Sequence, residues 1–271
     1  MNTIVIAVAN QKGGVGKSTT AACVATELAL REYTTLLIDA DPQANATQIF
    51  LDPENVTDSL ADVILGGGSE PAHSIREKRV TTAIPHLHLV PAKLQLANFD
   101  RENPLAIIKL RTAVREVSDR YDFVIIDTPP NLGLLLTAAL TAATHVLIPI
   151  QAAPFALSGY DDLMDAIKGA QGVNERLAIL GAVCTMYDTR VAVSGKTLKS
   201  IQEKAKERLF KTIIHRQTKL EESPSMHQPI QLYAPNSRGA ELYSELTDEI
   251  LERLNMSAKA PHLKVVKSDA K

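Results

Sequence analysis

The sequence is short of cysteine, of long apolar runs and of net charge. Its two cysteines, Cys23 and Cys184, fall in segments that read as a helix and a strand, and they are not spaced as a metal-binding pair. Buried, reduced thiols are expected. The first apolar run, residues 3–9, has no basic leader and no small-residue cleavage site. It is too short for a membrane span of about 20 residues and unlike a secretion signal, so a cytoplasmic protein is expected. A formal net charge of −2 excludes a protein that coats nucleic acid with its whole surface. Any such contact must be local. No internal repeat or low-complexity tract interrupts the chain.

At 271 residues and 45% hydrophobic content, the chain can bury a substantial core. One large domain is expected over residues 1–255, followed by a flexible tail, residues 256–271. Short apolar runs recur at residues 3–9, 35–39, 88–91, 121–127, 144–150, 177–187 and 212–215. They lack polar alternation, as strands do when helices cover both faces. Segments 18–31, 104–120, 132–143, 158–171, 194–209 and 239–254 have helical length and apolar spacing. The alternation predicts an α/β fold, a doubly wound, mostly parallel sheet flanked by helices. "LGGGSEP", residues 65–71, reads as a flexible surface turn, because no lysine or helix start follows it at the spacing of a phosphate loop.

The first strand runs into "QKGGVGKST", residues 11–19, and then into an alanine-rich helix. That context is the one a phosphate loop of a P-loop NTPase requires. Gly13, Gly14 and Gly16 open backbone conformations closed to other residues, and the loop from Gly13 through Val15 to Thr19 would turn successive N–H groups towards phosphate oxygens. The helix start at Ser18 adds its positive end. Lys17 would neutralise the β and γ phosphates, and the Ser18 hydroxyl is placed to ligate Mg²⁺. Gln11 stands where the usual pattern has its first glycine. Two further apolar strands end in acids: "LLIDADPQANAT" in Asp39 and Asp41, "YDFVIIDTPP" in Asp127. A carboxylate at a strand's C-terminal edge, beside a phosphate loop, is where a magnesium-bound water would be held.

These residues together resemble the ParA-type ATPases of the wider ParA and MinD family. "NQKGGVGKST", "LLIDADPQANAT", "VIIDTPPNLGLL", "VLIPIQ", "CTMYDTR" and "YAPNSRGAELY" occur in family order over most of the chain. The resemblance implies a use for Lys12, a second lysine in a loop that already has Lys17. In such proteins two subunits close over two ATP molecules, and a signature lysine at this position reaches the partner's nucleotide. A second cation there can stabilise charge on the transferred phosphoryl group. The resemblance further implies that Asp41 orients the attacking water, that Asp39 supports the magnesium and water network, and that Asp127 holds magnesium through water. ATP and Mg²⁺ are the implied cofactors.

From residues 190–219, nine basic side chains stand against two acidic ones, Glu203 and Glu207. By charge alone the stretch fits a contact with a phosphate backbone or an ordinary solvated helix face equally well. Leu198, Ile201, Ala205 and Leu209 recur at helical spacing and are expected to face the core. The resemblance implies non-specific binding of double-stranded DNA by the ATP-bound homodimer, through Arg190, Arg216 and Lys219. It also implies a ParB-like activator protein and a nucleoid location. His215 stands where many relatives have proline, and Lys219 where arginine is common. A MinD-like membrane oscillator is the nearest alternative, but "MSAKAPHLKVVKSDAK" carries Pro261 and no sustained apolar face, so no membrane contact is expected. The stretch after Asp127 offers no thiolate for an iron–sulfur role, and a nucleotide-clamped DNA regulator is a further alternative.

Overall fold

A computed structural model describes residues 3–66 and 70–257. Residues 67–69 of the glycine-rich turn and most of the expected tail, from residue 258 on, lie outside the described residues. Among the described residues, eight strands form one sheet: β1 (Ile4–Val8), β2 (Thr35–Asp39), β3 (Val80–Thr81), β4 (Leu87–Val90), β5 (Phe123–Asp127), β6 (His145–Gln151), β7 (Ala178–Tyr187) and β8 (Leu209–His215). Their order is β3-β4-β2-β5-β1-β6-β7-β8. All pairings are parallel except β3 with β4.

Two central strands, β2 and β5, are buried end to end, as strands covered by helices on both faces are. Six helices of nine or more residues lie among the described residues: α1 (Lys17–Leu30), α2 (Ile107–Arg115), α3 (Leu134–Ala142), α4 (Tyr160–Gln171), α5 (Ala192–Ala205) and α6 (Arg238–Arg253). They enclose two apolar layers, one on each face of the sheet. α1 is alanine-rich because it is covered on nearly every side, lying between the sheet and α6. A buried ionic link ties its end to α6: Arg31 pairs with Glu27, donates to the Ser244 hydroxyl at 2.9 Å and reaches Asp248 at 2.8 Å.

Two sequence expectations are corrected in detail. The helix expected over residues 104–120 is shortened to α2, because Pro104 opens a separate 3₁₀ turn and a second such turn covers Ser118–Arg120. The helix expected over residues 194–209 ends at Ala205. Lys206 adopts φ +51°, outside the helical region, and Leu209 already belongs to β8. β3 was not anticipated: two residues of antiparallel edge carry too little periodicity to read. Ile201 and Ala205 do face the core, and both cysteines are free and buried, with burial pushing the Cys184 thiol up to about 12.

Candidate nucleotide site

After β1 the chain moves to β2 on one side of the sheet, and after β5 it crosses to β6 on the other. The C-terminal ends of β1 and β5 therefore flank a topological switch point, where open parallel sheets bind ligands. The loop between β1 and α1 rises there. Gly14 and Gly16 have φ of +72° and +84°, so a side chain at either position would strain the backbone. Two ties hold the loop to neighbouring strands. Asn10 donates to the Pro149 carbonyl at 2.6 Å while accepting from the Lys12 amide at 2.9 Å, and the Thr185 hydroxyl donates to the Val15 carbonyl at 2.8 Å.

Register brings the acids together. Asp39 and Asp127 are Cα partners at the ends of β2 and β5, and Val8 is the partner of Asp127 on β1. Asp39 is fully buried, and its carboxylate accepts from the Asp41 amide at 3.0 Å and from the Thr47 amide and hydroxyl, each at 2.7 Å. Burial nevertheless raises its pKa to about 6. Asp127 is buried too, and neither of its oxygens completes a hydrogen bond, although the Ser18 hydroxyl lies near enough to favour the charged form. Burial first, and the Asp39 charge second, hold its pKa well above the carboxylate range. Burial likewise raises Asp41, which accepts from the Gln43 amide at 2.9 Å.

Lys17 is 6% exposed, and its ammonium donates to the Lys12 carbonyl at 3.3 Å. Burial lowers its pKa, while Asp127 and Asp41 act in the opposite direction. A cation thus lies buried beside two carboxylates under a loop whose glycines, Gly13 and Gly14, are open to solvent. Such a site suits a polyanion accompanied by a divalent cation. Next to Gly16 and Thr19 a cavity of about 310 Å³ extends past Met186, His215, Arg216 and Gln217. Apart from His215 and Arg216, these lining residues escaped sequence reasoning, because they come together only where β7 and β8 end side by side. His215 ends β8, its ring edge-on to Tyr187 at 5.3 Å.

A family model described as an AAA domain matches residues 3–179. The sporulation initiation inhibitor protein Soj of Bacillus subtilis is 37% identical over 251 residues, covering 91% of this chain and 97% of that protein. The chromosome partitioning protein ParA of Myxococcus xanthus is 37% identical over 260 residues, covering 92% and 88%. The chain belongs to the ParA/Soj family of partitioning ATPases. Among solved structures, cobyrinic acid a,c-diamide synthase from Mycobacterium smegmatis, with bound ATP analogue and magnesium, superimposes with a TM-score of 0.79 at 31% identity, over 96% of this chain and 98% of that one.

Two features expected of a ParA/Soj chain can now be placed. Lys12 is half-buried, and its ammonium donates to the Pro154 carbonyl at 3.3 Å, across the loop after β6. Next to it, Phe155 stands 85% exposed at φ +59°. Arg190 and Arg216 follow β7 and β8 and so share the sheet edge of the phosphate loop. All three expected DNA contacts are ion-paired: Arg190 with Asp188 at 2.8 Å, Arg216 with Glu221 at 2.8 Å and Lys219 with Glu222 at 2.9 Å. Lys204 likewise pairs with Asp161 at 2.7 Å. All four carboxylates lie outside residues 190–219, so the charge count along that stretch overstated its free positive charge. Among the described residues, no helix is long and apolar enough to cross a membrane.

Proposed function

We propose that this partitioning ATPase works as an ATP-closed homodimer that grips double-stranded DNA without sequence preference and positions a cargo with a ParB-like activator. ATP and Mg²⁺ are its cofactors. The observation that carries the reading is Asp127: two bare, buried carboxylate oxygens beside Ser18 and Lys17 fit a hydrated divalent cation. Mg²⁺, held by Ser18 and through water by Asp127, would neutralise charge on the β and γ phosphates. The loop from Gly13 to Thr19 holds the phosphates through its amides, Lys17 offsets their charge, and the cavity beside Thr19 takes the base.

Asp41 orients the attacking water, and Asp39 fixes the segment that carries Asp41, through the Asp41 amide and Thr47. Lys12 releases the Pro154 carbonyl and extends towards the partner's triphosphate when two subunits close. Closure sets two copies of Arg190, Arg216 and Lys219 side by side, which makes a weak patch into one that holds the nucleoid, with an affinity that falls steeply with salt. The site calls for no membrane contact.

The test is Lys12→Ala in sizing chromatography with ATP and Mg²⁺. Retained nucleotide binding with loss of the ATP-dependent dimer and of hydrolysis is expected; normal dimers that hydrolyse ATP would remove Lys12 from the mechanism.

A further inference from the structure

The opposite edge of the sheet carries a second cavity, of about 170 Å³, between α2, the segment after α3 and the turn that precedes β7. Every charged residue lining it is an arginine: Arg111 and Arg115, four residues apart on one face of α2, and Arg176 from the turn. Val5 and Val114 add apolar lining, and the Asn174 amide is already engaged by the carbonyls of Leu140 and Ala143 at 3.0 and 2.6 Å.

Several arginines elsewhere in the molecule are compensated. Arg31, Arg190, Arg216 and Arg238 pair with carboxylates, and Arg253 donates to the carbonyls of Leu180, Arg208 and Leu209, each at 2.9 Å. The three around this cavity are not. Among the described residues Arg115 and Arg176 have no side-chain partner, and Arg111 reaches only the Val173 carbonyl, at 3.5 Å. Three cationic side chains lining one recess with no carboxylate among them favour an anion between them. The guanidinium fork matches the oxygens of a phosphate in a two-point contact. A recess of this volume admits a phosphate and a compact substituent, whereas a nucleic-acid backbone needs an extended track.

We infer that this cavity is a second anion site, separate from the nucleotide loop, that binds the phosphate group of a small phosphorylated molecule. The inference does not rest on the proposed partition cycle.

Inorganic pyrophosphate is the probe, titrated calorimetrically into the full chain carrying Lys17→Ala, so that the nucleotide loop contributes little. Saturable binding below a millimolar is expected, weakened about tenfold or more when Arg115→Gln and Arg176→Gln are added. Arg115→Lys with Arg176→Lys, which keeps the charge and loses the fork, should fall between the two and serves if the glutamine variant does not fold. Binding only above 10 mM, or binding indifferent to the arginines, would overturn the site. So would duplex DNA or polyglutamate binding through these arginines where pyrophosphate does not, which would mark a macromolecular contact instead.

Discussion

Asp39 and Asp127 are register partners on neighbouring strands, yet one carboxylate is saturated with hydrogen bonds and the other has none. The same backbone geometry thus builds one acid that organises a loop and one that waits for a cation. The difference predicts opposite responses to substitution.

Asp127 has a pKa raised by burial, and Asp39 is raised to about 6. A raised folded-state pKa means that the folded form binds the proton more tightly than the unfolded chain does. Stability from these groups is therefore present below the unfolded value of about 4 and is lost as pH rises through the folded values. Thermal melts of the nucleotide-free protein should fall from pH 5 to pH 8. Asp127→Asn should flatten that profile, raise the melting temperature at pH 8 and abolish magnesium-dependent hydrolysis; a profile as steep as the parent's would contradict the assignment.

Thr47 makes three hydrogen bonds to two partners: its amide and hydroxyl donate to Asp39, and its hydroxyl oxygen accepts from the Ala92 amide at 2.9 Å. Thr47→Val keeps the shape and leaves the buried Ala92 amide and one Asp39 lone pair unsatisfied. A loss of about 1–3 kcal/mol in urea unfolding is expected. Thr47→Ser, which keeps the hydroxyl, should lose less.

Gly159 stands at φ +77° at the start of α4, and a Cβ there would collide with the Gln11 side chain. Turned to satisfy its neighbours, the Gln11 amide donates to the Gly159 carbonyl and Asp162. Gly159→Ala should therefore push Gln11 off α4 and loosen the phosphate loop, costing about 1 kcal/mol from backbone strain alone and weakening ATP binding. Equilibrium binding of a fluorescent ATP analogue would reveal an unchanged affinity if the contact were idle.

Asp188 binds Arg190 at two points, Nε at 2.9 Å and Nη2 at 2.8 Å, and the hydrogen bonds from Arg190 hold its carboxyl down to about 2. Asp188→Asn frees that arginine. DNA affinity of the ATP-bound protein should rise several-fold, and the slope of log affinity against log salt should steepen by about one if Arg190 gains a phosphate contact. Equal slopes in parent and variant would remove Arg190 from the interface.

Much of this molecule was legible along the chain because the deciding physics is local. Glycines at 14 and 16, a lysine and a serine between an apolar strand and an alanine-rich helix specify a phosphate loop within about ten residues. Unbroken apolar runs such as residues 123–126 require a sheet covered on both faces. Other features depend on distant residues and left no mark in sequence. Parallel register made Asp127 bare and Asp39 saturated, since Thr47 and Asp41 reach only the latter. Charge was the other property decided in three dimensions: Asp188 and Asp161 compensate a stretch that looked strongly basic, while Arg111, Arg115 and Arg176, unremarkable one by one, meet uncompensated. Hydrophobic pattern and backbone freedom are written residue by residue, whereas the field at a side chain is set by whatever the fold brings near it.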